Sequence, residues 1–225
     1  MFSLMELGRM NQTANKTDQA YEAIEDMIIF QELAPGSMVS EAQLMELTGF
    51  GRSPVRDALQ RLAADRLVEI YPYKGVFIPA ISVEVQFKVL ELRRVVGEFA
   101  VRLATRRGSN LQKKEMLSLA EEFESITTVD DMRQFGKLLK HTYSLIGEAA
   151  QNEYLQPSLS PLQGLSSRFW FSQLAPGKEV ELIKASRLNA TMLRDICHGD
   201  EERAAEASKN VNDYFTEFTF KLLNR

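Results

Sequence analysis

Residues 48–62, "TGFGRSPVRDALQRL", decide how the first part of this chain folds. Thr48-Gly49 is a helix stop. Ser53 is a residue type that caps a helix N-terminus, and Pro54 suits the first helical position, where its fixed φ helps and its missing N–H costs nothing. Leu59 and Leu62 then face inward, while Arg52, Arg56 and Arg61, followed by Arg66 four residues beyond the segment, form a row of arginines. On the N-terminal side, Ser40-Glu41-Ala42-Gln43 is a capping box that opens an earlier helix, with Leu44 and Leu47 on its apolar face. Before it, "LAPGSMVS" ends a helix marked by Ala20, Ile24, Met27 and Ile28 at helical spacing. On the C-terminal side, Val68, Ile70, Val76 and Ile78 alternate around "YPYKG", which predicts a small β-hairpin with Lys74-Gly75 at its tip.

Helix, turn, helix and hairpin make the winged helix-turn-helix plan, in which the second helix of the pair enters the DNA major groove. Arg52 lies just before that helix and Arg56 four residues on, so both project from the end where base edges lie closest. Arginine presents a planar fork of donors that matches guanine O6 and N7, and such a pair discriminates by about 1–3 kcal/mol. Ser53 and the first free amides of the helix are placed to hold a phosphate. Arg61 and Arg66, further along, are expected to pair locally or to meet phosphate. Residues 52–74 carry five basic and three acidic side chains, a local +2 in a chain whose formal net charge is −4. Any nucleic-acid contact is therefore local.

The remaining composition is that of a globular protein: 225 residues, 44% hydrophobic and 26% charged. A single cysteine, Cys197, excludes an internal disulfide framework and fits a reducing, cytoplasmic compartment. No apolar run approaches a membrane span, and the N-terminus lacks the pattern of an export signal. Residues 1–17 are polar and aperiodic and are expected to fray, residues 18–80 to form the winged domain, and residues 81–225 to form an all-α domain of about six helices. In that second domain Val85, Val89, Leu92, Val96, Phe99 and Leu103 predict one buried helical stripe. "QPSLSPLQG" is expected to break the chain before a short aromatic helix, "SSRFWFSQL". The "RFWF" within it reads as a core or dimer anchor.

The stretch from Ala20 to Ile78 closely resembles the DNA-binding domain of the GntR family of bacterial transcription regulators. Pro35-Gly36, Glu41, Gly49, Arg52, Pro54-Val55-Arg56, Ala58-Leu59, Arg61-Leu62, Leu67-Val68 and Gly75 fall in family order and spacing. The helical remainder of the chain resembles the family's FCD ligand-binding domain, as in FadR-like members, through "LELRRVVGEFAVRLA", "GEAAQN" and "HGDEERAAEA". The resemblance implies a homodimer that binds a palindromic operator, with Arg52 and Arg56 in the major groove and Lys74 and Gly75 of the wing near the minor groove or backbone. It implies a small-molecule effector as the second partner. One departure is local: Ala42 and Gln43 stand where several relatives carry a basic residue that touches DNA.

Many FCD domains bind a divalent metal through an Asp and a His four residues apart and two later histidines. By family spacing, Leu139, Tyr143, Asn189 and Val211 occupy those positions here, so no metal or other cofactor is expected. His141 lies on a different helix face from Tyr143, and His198 belongs to an interhelical turn. Tyr143, Asn189 and a basic residue, Arg93 or Arg168, are the candidates for binding an effector that carries a carboxylate. Arg93 pairing with a neighbouring carboxylate is the competing structural reading. Glycine-rich phosphate loops and nucleophile motifs are missing from the sequence, and Asp130-Asp131 reads as a helix N-terminal charge cluster, so no enzyme is expected. A rival of another class stays open: a helical protein-interaction scaffold whose winged domain does not bind DNA. The first 80 residues, with 7 basic and 11 acidic side chains, give it footing.

Overall fold

The computed structural model describes residues 4–174 and 177–223, and the chain divides into two compact units, Met1–Ile81 and Ser82–Arg225. In the first unit, α1 (Leu4–Ile29) is followed by a two-residue strand β1 (Met38–Val39), then α2 (Glu41–Thr48), α3 (Arg52–Ala64), β2 (Glu69–Tyr71) and β3 (Gly75–Phe77). Chain expected to fray through residue 17 is helical from Leu4, while residues 1–3 lie outside the described residues. The physical reason is that extending a helix costs far less than starting one, and Ala20, Ile24 and Ile28 anchor α1 in the core.

That core is built by α1 packing on α3. Ile24 and Ile28 meet a face formed by Val55, Ala58, Leu59 and Leu62, all at most 1% exposed. Leu44 of α2 is fully buried, but Leu47, expected on the same face, is 59% exposed. The antiparallel sheet has three strands in the order β1-β3-β2, one more than the expected hairpin. Met38 pairs with Phe77 and Val39 with Val76, and Val76 in turn pairs with Ile70. β1 is too short to leave an alternation in the sequence, which is why "GSMVS" reads as turn.

The second unit contains six α-helices among the described residues: α4 (Val83–Arg107), α5 (Asn110–Glu124), α6 (Met132–Ala149), α7 (Leu155–Ser172), α8 (Glu179–His198) and α9 (Glu201–Leu223). A 3₁₀ turn at Val129–Asp131 precedes α6, and the Asp131 carboxylate accepts the Thr127 and Thr128 amides at 2.9 and 3.0 Å. α4 is central and packs against α6, α7 and α9. Two expectations fail here. α7 runs unbroken through Pro161, at the cost of the hydrogen bond to the Pro157 carbonyl, because the buried Leu159, Leu162 and Trp170 hold the helix on the core. The α4 stripe is also misplaced: Val89 and Leu103 are buried, whereas Val85, Leu92 and Phe99 are 48–53% exposed. The buried face instead takes in Leu90, Arg93, Gly97, Ala100, Val101 and Ala104, with small residues where helices approach closely. Trp170 sits at the aromatic centre, with ring centroids 5.2, 5.3 and 5.5 Å from Phe135, Phe171 and Phe215.

Candidate nucleic-acid interface and effector site

The reading head starts from two caps. Ser40 Oγ accepts the Gln43 amide at 3.1 Å while Gln43 Oε1 accepts the Ser40 amide at 2.9 Å, which fixes the start of α2. Gly49 ends α2 in the left-handed conformation, φ 72°, and donates its amide to the Met45 carbonyl. α3 then begins two residues earlier than the sequence predicts. Its N-cap is Gly51, and Ser53 lies inside the first turn, making no capping hydrogen bond. The first intrahelical bond is Val55 N to Gly51 O, so the amides of Arg52 and Ser53 point out of the helix end without a backbone partner among the described residues.

Arg52, Ser53, Arg56 and Arg61 are all exposed, and the arginines differ in their partners within the protein. Arg56 Nε donates to Glu41 Oε1 across the two helices at 3.2 Å. Arg61 turns back to α1, where it pairs with Asp18 at 2.5 Å and lies over the Tyr21 ring at 4.5 Å. The Tyr21 hydroxyl donates to Asp65 at 2.7 Å, and burial beside two carboxylates pushes this phenol well above its ordinary range. Arg61 therefore braces the unit, because its guanidinium is committed to α1. Arg52, Arg66 and Lys74 make no ion pair among the described residues. Three cations thus remain uncommitted along one stretch of chain.

The wing has its tip at Tyr73, one residue before the expected Lys74-Gly75. Pro72, Tyr73 and Lys74 form the turn, closed by Lys74 N to Tyr71 O at 3.1 Å. Gly75 has a local structural duty: its φ is 115°, and a Cβ there would lie 2.8 Å from the Val39 carbonyl oxygen.

In the helical unit, Arg93 of α4 is 5% exposed. Its guanidinium donates to the Tyr143 hydroxyl of α6 at 2.7 Å and reaches Ser166 Oγ of α7 at 3.4 Å. It also lies over the rings of Tyr143 and Phe215, 5.3 and 4.9 Å from their centroids. No carboxylate pairs with it among the described residues, whereas neighbouring Arg94 pairs with both Glu98 and Asp213. Gln86, two turns earlier on α4, donates to the same Ser166 at 3.3 Å and leaves its buried Oε1 without a partner. Asn212 of α9 donates to the Leu90 carbonyl at 3.2 Å, and its Oδ1 is likewise unpartnered.

Of the four predicted effector residues, Arg93 and Tyr143 are in contact. Asn189 is fully buried and donates its amide to the Ala185 carbonyl of its own helix at 2.8 Å, and its Oδ1 has no partner among the described residues. Arg168 is buried on α7, and burial lowers its guanidinium pKa. It follows Ser166 by two residues, about 200° around the helix, so it leaves α7 on another side from Arg93. Sequence reasoning missed Ser166, Gln86 and Asn212. Gln86 carried a usable signal, since a residue seven before Arg93 shares its helix face, but Ser166 sits in a segment that reads as apolar core.

The metal positions expected for this domain do not supply a donor set. Leu139, Tyr143, Asn189 and Val211 are all buried and include neither imidazole nor carboxylate, and no group of three potential ligands occurs among the described residues. His141 is exposed and hydrogen-bonded to Glu115 at 2.8 Å.

A winged helix-turn-helix unit followed by a six-helix bundle is the domain plan of a class of transcription regulators. The chain matches the family model "Bacterial regulatory proteins, gntR family" over residues 16–78 and that of the FCD domain over residues 88–213. It belongs to the GntR family and carries an FCD domain. An uncharacterized HTH-type transcriptional regulator in an unstable DNA locus of Streptomyces ambofaciens is 32% identical over 133 residues, and the chain spans about half of its length, 56%. The galactonate operon transcriptional repressor of Escherichia coli is 23% identical over 216 residues, 87% of this chain and 93% of the repressor. Among solved structures, E. coli McbR/YncC shares the fold with a TM-score of 0.77 at 18% identity, covering 92% of this chain and 98% of its own. No helix among the described residues is long and apolar enough to cross a membrane.

Proposed function

We propose that this protein is a homodimeric regulator that binds a palindromic operator and is controlled by a small anionic effector, a carboxylate held without a metal. The observation that carries the effector reading is Arg93. A guanidinium buried to this extent is costly unless an anion accompanies it. Here its contacts are two hydroxyls and two ring faces, with no carboxylate. A bound carboxylate would supply the missing charge through two parallel hydrogen bonds, and Tyr143 and Ser166 would complete the cradle. Asn189, with its unpartnered buried Oδ1, and the buried Arg168 stay among the candidates for further contacts to the effector.

For DNA, the support is the exposed start of α3, where Arg52 and Arg56 project beside two unpartnered amides. Lys74 and Gly75 of the wing stay in the reading, Lys74 as an uncommitted cation and Gly75 through the turn geometry it permits. For the homodimer, the support is the outer face of α4. Val85, Leu92 and Phe99 recur every seven residues, with Val95 between them, and all are 48–67% exposed. A heptad row on one helix is self-complementary, the pattern two copies bury about a two-fold axis.

The test uses purified protein and the DNA upstream of its own coding sequence, over a salt series, with Arg52→Ala and Arg56→Ala. Specific binding weakened by each substitution supports the reading, and the absence of specific binding at low salt favours the scaffold alternative. A thermal-shift screen of carboxylate metabolites, with and without chelator, tests the effector. A melting temperature raised by a carboxylate and insensitive to chelator is the expected result.

A further inference from the structure

The wing carries three aromatic residues near its turn, and two of them are satisfied within the protein. Tyr71 and Phe77 meet edge to face at 6.3 Å, and the Tyr71 hydroxyl donates to Glu69 at 2.7 Å. Tyr73 differs on every count. Its side chain is fully exposed and has no hydrogen bond, ring contact or ion pair among the described residues. Its backbone is left-handed, φ 63°, a conformation that costs an aromatic residue energy and that glycine or asparagine would adopt more readily. A strained turn that presents a bare phenol gains nothing inside this fold. Pro72 stiffens the turn on one side, and on the other stands Lys74, a cation with no ion pair among the described residues.

We propose that Tyr73 is a specificity-determining residue that enters the minor groove beside the half-site read by α3 and selects A·T pairs there. The inference rests on the DNA-binding reading above. The minor-groove edges of A·T and T·A offer only acceptors, adenine N3 and thymine O2, whereas G·C places an amino group on the groove floor. A phenol hydroxyl donates to those acceptors, and its ring needs the room that the guanine amino group would take. The adjacent Lys74 ammonium meets the negative potential that deepens where the groove narrows over A·T runs. Because the turn is stiff, the ring is already oriented and little freedom is lost on binding.

The experiment selects duplexes from a randomised pool with the full-length protein and measures affinities for the recovered sequence. Wild type is compared with Tyr73→Phe, Tyr73→Ala, Tyr73→Gly and Arg56→Ala, and thermal melting confirms that each variant is folded. Tyr73→Gly relieves the backbone, so it separates turn geometry from side-chain loss. Tyr73→Ala and Tyr73→Gly are expected to weaken binding roughly tenfold and to flatten the A·T preference flanking the half-site, with the half-site itself unchanged. Tyr73→Phe is expected to keep part of the affinity and lose the donor-dependent preference. Flanking inosine·cytosine pairs, which look like A·T from the minor groove and G·C from the major groove, are expected to bind wild type as A·T pairs do. The proposal is overturned if Tyr73→Ala and Tyr73→Gly keep both affinity and flanking preference, or if inosine·cytosine behaves as G·C. If wild type selects no sequence, the DNA-binding reading fails first; loss of selection in Arg56→Ala alone leaves that reading standing and removes Tyr73 from it.

Discussion

At the residue scale, charge pairing within the protein sets what each arginine has left to give. Arg56 is engaged by Glu41 in a pair whose side chains are 62% and 36% exposed, and such surface pairs are worth roughly 0.2–1 kcal/mol. On the DNA-binding reading proposed above, a phosphate or base edge would displace Glu41 from that guanidinium at little cost. Glu41→Gln is therefore expected to tighten operator binding by roughly 1.5- to 5-fold in a titration at fixed salt, while Arg56→Ala weakens it far more. Arg93 makes the opposite case, a buried cation that no carboxylate engages among the described residues. Replacing a buried charge with an apolar side chain of similar length is often neutral or stabilising. The double variant Arg93→Met with Tyr143→Phe, which leaves no orphaned hydroxyl opposite Arg93, is expected to melt at or above the wild-type temperature. It should also lose every carboxylate-induced thermal shift. A marked drop in melting temperature would mean that Arg93 is a structural strut.

At the element scale, the wing shows how a short strand imposes a residue choice elsewhere. Strand β1 brings the Val39 carbonyl against β3 so closely that only glycine fits at position 75, and the φ of 115° adds to the demand. Gly75→Ala is expected to destabilise the winged unit by about 1–3 kcal/mol, read as a lower melting midpoint with the α2 and α3 caps intact. The sequence made α2, α3 and the hairpin legible because caps, Gly49 and alternating residues act over a few positions. It hid β1, whose two residues carry no period, and the true start of α3, because Gly51 caps without a side chain. It also misplaced the buried face of α4. Apolar residues lie on two faces of that helix, and composition cannot say which one the bundle covers. The contact between Arg93 and Tyr143 joins two of the residues that the sequence offers as candidates, whereas Ser166, which joins Arg93 to Gln86, depends on how α7 packs.

At the scale of the whole molecule, the second apolar face of α4 is what makes a dimer and a palindrome one argument. Val85, Leu92, Val95 and Phe99 form an exposed row about 21 Å long, taking the 14 residues from Val85 to Phe99 at 1.5 Å each. A row of this kind left in water is a liability for a monomer and an interface for a two-fold pair. A dimer places two reading heads on one duplex, so the second half-site is bound at high effective concentration. Leu92→Glu combined with Phe99→Glu puts like charges into that seam without touching the buried face of α4. The variant is expected to sediment as a monomer with wild-type helical content by circular dichroism. Its affinity for a single half-site should be unchanged, while its affinity for the full palindrome falls by roughly 10²–10⁴-fold, the gain that linkage of two sites provides. If the variant stays dimeric, the interface lies elsewhere and the exposed row needs another partner. If it becomes monomeric yet binds the palindrome as tightly as wild type, one head suffices and the two-fold operator is not what this protein reads.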